Sequence, residues 1–234
     1  MPRRQYVAAR VHHAVALPLP VALCIAVLAA CVVPIEYPGP GQRIEPRPGH
    51  GLVFGRVRIV GATGRVYFPV AHNPSAPGYL TIAPPEPHLT LLRLGPPQER
   101  ALSGRLAVRP DGSLAVWVPA GDYGLVAISP VQDQANVNLI ALLRVPDGGV
   151  AVYAGDLTIT IEIEPQGPIE GWGRYRVMDA AVEGDGEPDA RKVLEQRHGP
   201  LPRPPAVSLW CTGFVGSTDA QWHAALDAGC GNPP

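Results

Sequence analysis

Lysine is nearly missing from this 234-residue chain: Lys192 stands alone among 19 basic residues, the rest being arginine. Aromatic residues are only 6% and charged residues only 17%. A formal net charge of −1 with no basic block argues against a nucleic-acid partner. No Gly-X-Y period points to collagen, and past the N-terminal segment no apolar run is long enough to span a bilayer. There is no Walker loop, GxGxxG, HExxH or GxSxG, so the common signatures of nucleotide, metalloprotease and serine-hydrolase chemistry are lacking. No cofactor is expected. His12, His13, His50, His72, His88, His198 and His223 show no metal-ligand spacing, so no metal is expected either. The arginines are scattered and accompany abundant Ala, Gly, Pro and Val. That pattern fits the codon bias of a GC-rich genome better than a phosphate-reading patch.

What is plentiful is hydrophobic residues, at 46%, with 26 Gly and 29 Pro. That much Val, Leu and Ile excludes a disordered chain. The first thirty residues carry Arg3, Arg4 and Arg10, no acid, and an uncharged stretch from Ala14 to Ala30. A basic start followed by a short apolar run is an export signal, and Pro18 and Pro20 unsuit it to a spanning helix. Its last residues, Leu28-Ala29-Ala30-Cys31, resemble the lipobox of bacterial lipoproteins. That resemblance implies cleavage between Ala30 and Cys31 and a diacylglyceryl group on the Cys31 thiol. Arg3-Arg4 also resembles a twin-arginine signal. Val32 in the position after the cysteine resembles lipoproteins sorted to the outer membrane. The expectation is a periplasm- or surface-facing envelope protein held to the membrane by lipid, since two or three acyl chains give lasting residence. Plain secretion and an uncleaved anchor are the alternatives.

The expected organisation is a signal over 1–30, a tether over 31–50, a β-sandwich over 51–165 and a C-terminal extension over 166–234. Five prolines and three glycines in 32–50 predict a semi-extended spacer. From residue 51 the hydrophobic period is two: Leu157, Ile159, Ile161 and Ile163 alternate with Thr158, Thr160, Glu162 and Glu164. Val53, Gly55, Val57 and Ile59 do the same. Further strands are expected at 66–70, 88–94, 105–109, 113–118, 123–129, 137–144 and 149–153. Turns are expected at Asp111-Gly112, Gly121-Asp122, Asp147-Gly148-Gly149 and Gly155-Asp156. Short strands at this spacing predict a mainly-β fold, an antiparallel sandwich. The stretch RPDGSLAVWVPAGDYGLVAI, 109–128, resembles the carboxypeptidase-regulatory or transthyretin-like domain family, which implies a sandwich and names no activity. The mature chain as a whole is similar to uncharacterised bacterial lipoproteins with a β-sandwich body.

Residues 165–186 are expected as loop, 187–198 as a helix, 206–212 as a short strand, and 218–228 as a second helix with Thr218 and Gln221 as a capping box. With Cys24 in the signal and Cys31 carrying lipid, Cys211 and Cys230 remain as a pair expected to bridge in an oxidising compartment. The function expected is non-catalytic binding or scaffolding beside an envelope or secretion protein of unknown identity. One alternative is an exported hydrolase or thiol enzyme using Cys211 with His198 or His223. Another is a carbohydrate- or peptidoglycan-binding module stacking sugar on Trp117, Trp172 or Trp210. Glu162 and Glu164 share a strand face at glycosidase-like spacing, although catalytic carboxylates normally come from different elements. The loops 71–79 and 179–189 are the expected variable surfaces; five carboxylates in the second could attract Ca²⁺, without a Ca²⁺-loop pattern.

Overall fold

A computed structural model describes residues 32–33, 35–64, 66–68, 88–95, 102–128, 138–165, 173–213 and 218–229. The chain divides into two compact units, Met1–Cys31 and Val32–Pro234, and every described residue belongs to the second. The fold is mainly β, with eleven strands and two short helices among the described residues.

The strands, in chain order, are β1 Val32–Val33, β2 His50–Gly61, β3 Val66–Phe68, β4 His88–Arg93, β5 Leu102–Arg105 and β6 Ser113–Pro119. They continue with β7 Gly121–Ile128, β8 Asn138–Val145, β9 Ala151–Pro165, β10 Gly173–Glu183 and β11 Ala206–Val207. Helix α1 is Glu187–His198 and helix α2 is Asp219–Asp227. One sheet runs β1-β5-β4-β7-β8; the other runs β10-β9-β2-β3, with β6 also on β2 and β11 also on β9. A common core lies between the sheets, where Val53, Val57, Val116, Leu157 and Ile159 of one meet Leu91, Leu125 and Leu143 of the other.

The pairing is not uniformly antiparallel. β2 and β9 run parallel through the middle of the second sheet, with Ile59 opposite Ile159. There β9 still alternates from Leu157 to Glu162, but where the outer face of the second sheet is covered the alternation is lost. In the antiparallel pair of β2 and β6, Ser113 to Val118 are all buried, and Gly51 to Gly55 likewise. The outer face needs its own cover, and α1 supplies part of it. Leu194 and Ala190 pack with Leu52, Phe54, Ala115, Trp117 and Tyr153 in a second hydrophobic cluster. A third cluster, Leu94, Leu142, Cys211 and Leu226, places α2 against the outside of the first sheet.

Residues 35–50 complete that cover, which corrects the expected spacer. The prolines do keep this segment extended, but it lies on the sheet. Glu36 and Trp117 exchange backbone hydrogen bonds of 3.0 and 2.7 Å, and Ile44 is 5% exposed within the outer cluster. Arg47 stacks over the Trp117 ring at 4.9 Å and pairs with Glu36. Pro excludes this stretch from helix interiors and central strands, yet Ile35 and Ile44 still carry apolar surface to bury.

Other expectations are also corrected. Residues 173–183 form the edge strand β10, paired with β9 along its length, rather than loop. The expected strands at 149–153 and 157–163 are one strand, β9. Gly155, expected in a turn, sits inside it at φ 90°, where the β2–β9 register slips by one residue. A bulge of this kind needs glycine. The expected strand at 105–109 falls earlier, at β5, and 206–212 reduces to β11 and a bridge between Cys211 and Leu142. The turns at 111–112 and 147–149 form, but they cross between sheets instead of closing hairpins: β6 and β9 belong to one sheet, β5 and β8 to the other. The sandwich therefore does not end at 165, since β10 and β11 both extend its second sheet.

Candidate functional site

The PAG corner is the best-defined local device. β6 ends at Pro119 and β7 begins at Gly121, so three residues carry the chain from one sheet to the other. Tyr123, fully buried, donates its hydroxyl to the Pro119 carbonyl at 2.7 Å and pins the turn. Burial pushes that phenol up to about 12, so it stays a neutral donor. This corner is structural.

Cys31, Ala30, Cys230, Trp172 and the loop 71–79 lie outside the described residues. Cys211 is 2% exposed, its main chain is bridged to Leu142, and its sulfur is not a free thiol. The two histidines proposed to serve it are committed elsewhere. His198 packs near the α1 side, its Nδ1 donating to the Gln42 carbonyl at 3.0 Å. His223 on α2 contacts Asp122 Oδ2 through Nδ1 at 2.8 Å. Asp122 also accepts two hydrogen bonds from Arg144, at 2.7 and 2.9 Å, and Arg144 continues to Asp227 on α2 at 2.8 Å. Burial raises the Asp122 carboxyl, but Arg144 and His223 outweigh it and hold it below the usual range. The Asp–His pair thus ties α2 to the sheet.

Trp117 and Trp210 are each 2% exposed, so neither presents a ring to a sugar. Glu162 is bonded by Arg176 at 2.7 Å across the β9–β10 ladder; the side chain of Glu164 lies outside the description. The expected acidic loop, 179–189, is the end of β10, a tight turn and the start of α1. Among the described residues no group of three metal-ligating side chains converges.

Sequence spacing gave no sign of one cluster. A small cleft, with a volume of about 10 Å³, lies between α1 and the β2–β6 pair. Its wall includes Arg56, Arg109, Ser113, Arg197 and His198, with Leu114 and Leu194 as apolar floor. Arg197 donates to Ser113 Oγ at 2.7 Å and Asp111 Oδ2 at 2.6 Å. Asp111 in turn accepts from the Ser113 amide at 3.0 Å and hydroxyl at 2.7 Å. Burial pushes the Asp111 carboxyl up, but the Ser113 and Arg197 hydrogen bonds prevail and bring it to about 2. Arg56 stands 3.9 Å from Asp156, a loose pairing. The arginines come from positions 56, 109 and 197, which only the β2–β6 register and the docking of α1 bring together.

No family model, no curated protein and no solved structure matches the chain.

Proposed function

We propose that this is a lipid-anchored protein of the bacterial cell envelope, whose β-sandwich body binds or scaffolds and does not catalyse. The observation that carries it is the segment Leu28-Ala29-Ala30-Cys31 at the end of a basic, then uncharged, leader. Fatty acylation of the new N-terminal cysteine then fixes the body to a membrane, with Val32 favouring the outer one. Because residues 35–50 are laid on the sheet, little free chain separates the lipid from the body. Cys31 directly precedes β1, whose Val32 and Val33 pair with β5. The body therefore sits close to the headgroups.

Within the sandwich proposal, the fold is of the transthyretin-like kind, as residues 109–128 resemble that family. The proposal also joins Cys211 to Cys230, which closes a loop of about 20 residues and is worth about 3 kcal/mol in the chain-entropy model. The role is accessory: holding a partner in an envelope or secretion assembly.

Fractionation of the native host tests the anchor. The wild-type chain is expected in the membrane fraction with no titratable thiol after denaturation without reductant. A Cys31→Ser variant is expected to lose signal cleavage before residue 31. Cleavage and membrane retention unchanged in that variant would refute lipidation, and a free Cys211 thiol would refute the bridge.

A further inference from the structure

The cover over the outer face of the second sheet is made of two pieces, α1 and the extended segment 35–50, and one side chain joins them. His198, the last residue of α1, donates from Nδ1 to the Gln42 carbonyl at 3.0 Å. A carbonyl only accepts, so Nδ1 carries the proton and Nε2 of the neutral ring is bare. Ile44 on the segment and Leu194 on α1, close in sequence to the two partners, are both buried in the outer cluster. The contact therefore lies on the seam of the cover.

The surroundings of the ring suit its neutral form and not its charged one. His198 is 2% exposed, and its Nε2 is buried with no hydrogen bond among the described residues. The adjoining cleft, about 10 Å³, has room for about one water molecule and none for a counter-ion. The charges that act on the ring are Arg109, from the turn before β6, and Arg197 on α1. Asp111 in that turn is already held by Arg197 and Ser113. Glu195 on α1 is held by Arg191 and the Leu201 amide. Arg56 on β2 lines the same cleft, 3.9 Å from Asp156 of β9. On the extended segment the neighbour of Gln42 is Arg43. An imidazolium here would put a buried proton without an acceptor beside two guanidiniums. The carbonyl end of α1 favours a cation. Burial nevertheless pushes the imidazole below its usual value, Arg109 and Arg197 act in the same direction, and the Gln42 hydrogen bond only partly opposes them.

We propose that His198 is an acid-sensitive clasp: neutral, it fastens the extended segment to α1 through Gln42, and protonation at Nε2 opens it and loosens the cover over Leu52, Phe54 and Trp117. The unfastened ring titrates near the ordinary 6.5 and the fastened ring lower, so the open state takes up the proton first as pH falls. The clasp is whole above about pH 7 and weakens as pH drops through about 6.5 towards the lower value, by at most about tenfold per pH unit for one proton. The proposal does not rest on the acylated cysteine.

The test is hydrogen exchange of the purified full chain in a neutral detergent at about pH 7 and about pH 5, with the intrinsic pH dependence of exchange divided out. Peptides over 39–46 and 194–201 are expected to open about threefold or more often at the lower pH, and at both pH values more often than the centre of β9. His198→Asn cannot take up the proton and should abolish that response. Arg109→Gln, which removes one of the two guanidiniums beside the ring and leaves the Gln42 contact in place, should reduce it. His50 lies at the far end of the same segment, its Nδ1 3.2 Å from the Pro48 carbonyl, and is the competing titration. His50→Asn should leave the response intact. A wild-type chain with no pH response, opening only together with β9, a response that survives His198→Asn, or one that is lost in His50→Asn would each overturn the proposal.

Discussion

Single residues in this protein carry more than their own contacts. Asp111 fixes the entry to β6 by holding the Ser113 amide, the Ser113 hydroxyl and the Arg197 guanidinium. Its carboxyl is near 2 in the folded state against about 3.9 in the unfolded chain, so the unfolded state takes up the proton first. The stabilisation is therefore complete above about pH 4 and disappears as pH falls through about 2. The side chain is 47% exposed, and solvent screening reduces the gain to about 1 kcal/mol. Urea unfolding of Asp111→Asn should show that loss at pH 7, with the wild-type and variant stabilities converging towards pH 2. Equal stabilities at pH 7 would show that the ion pair contributes nothing. Gly55 works by absence. A Cβ there would run into the backbone oxygen of Gly155 on the neighbouring parallel strand, which no rotamer change relieves. Gly55→Ala should cost about 1–3 kcal/mol in the same assay, and a neutral effect would mean that the β2–β9 contact is looser than described.

At the scale of elements, sequence pattern and structure part company in an instructive way. The alternation expected from Leu157 yields a half-covered strand as far as Glu162, and the capping box at Thr218 and Gln221 forms with both reciprocal bonds. The punctuation of α1 was equally legible, with Glu187 and Asp189 at its start and Arg197 and His198 at its end. β10 was not legible. It is an edge strand with exposed Arg176, Met178 and Asp179 and a register shift after Val177, so neither face reads as apolar. The extended segment 35–50 was misplaced because composition reports what prolines forbid, not which surface an extended chain will cover. That surface becomes visible only when Leu52, Phe54, Trp117 and Tyr153 point outward together. The cleft was invisible for a similar reason: its arginines are scattered in sequence and converge through β-pairing. α1 closes the outer cluster mainly through Leu194, which is 5% exposed. Leu194→Ala should therefore cost about 2–4 kcal/mol in urea unfolding, and should raise hydrogen exchange in α1. A cost under about 0.5 kcal/mol would mean that α1 is not a structural cover.

Among the described residues, all of the second unit, the layers are α1 with the extended segment, one sheet, the common core, the other sheet, and α2. Among the described residues Cys211 is buried and not free, and His198 and His223 are each bonded elsewhere. The role proposed for the chain is a binding body held at a membrane. That account depends first on the chemistry of Cys31. The most direct measurement is intact-mass and N-terminal peptide mass spectrometry of the protein isolated from its native host. The account predicts a chain that begins at Cys31 and carries a diacylglyceryl group on its sulfur. A chain that retains Met1, or one cut elsewhere with an unmodified Cys31, would contradict it.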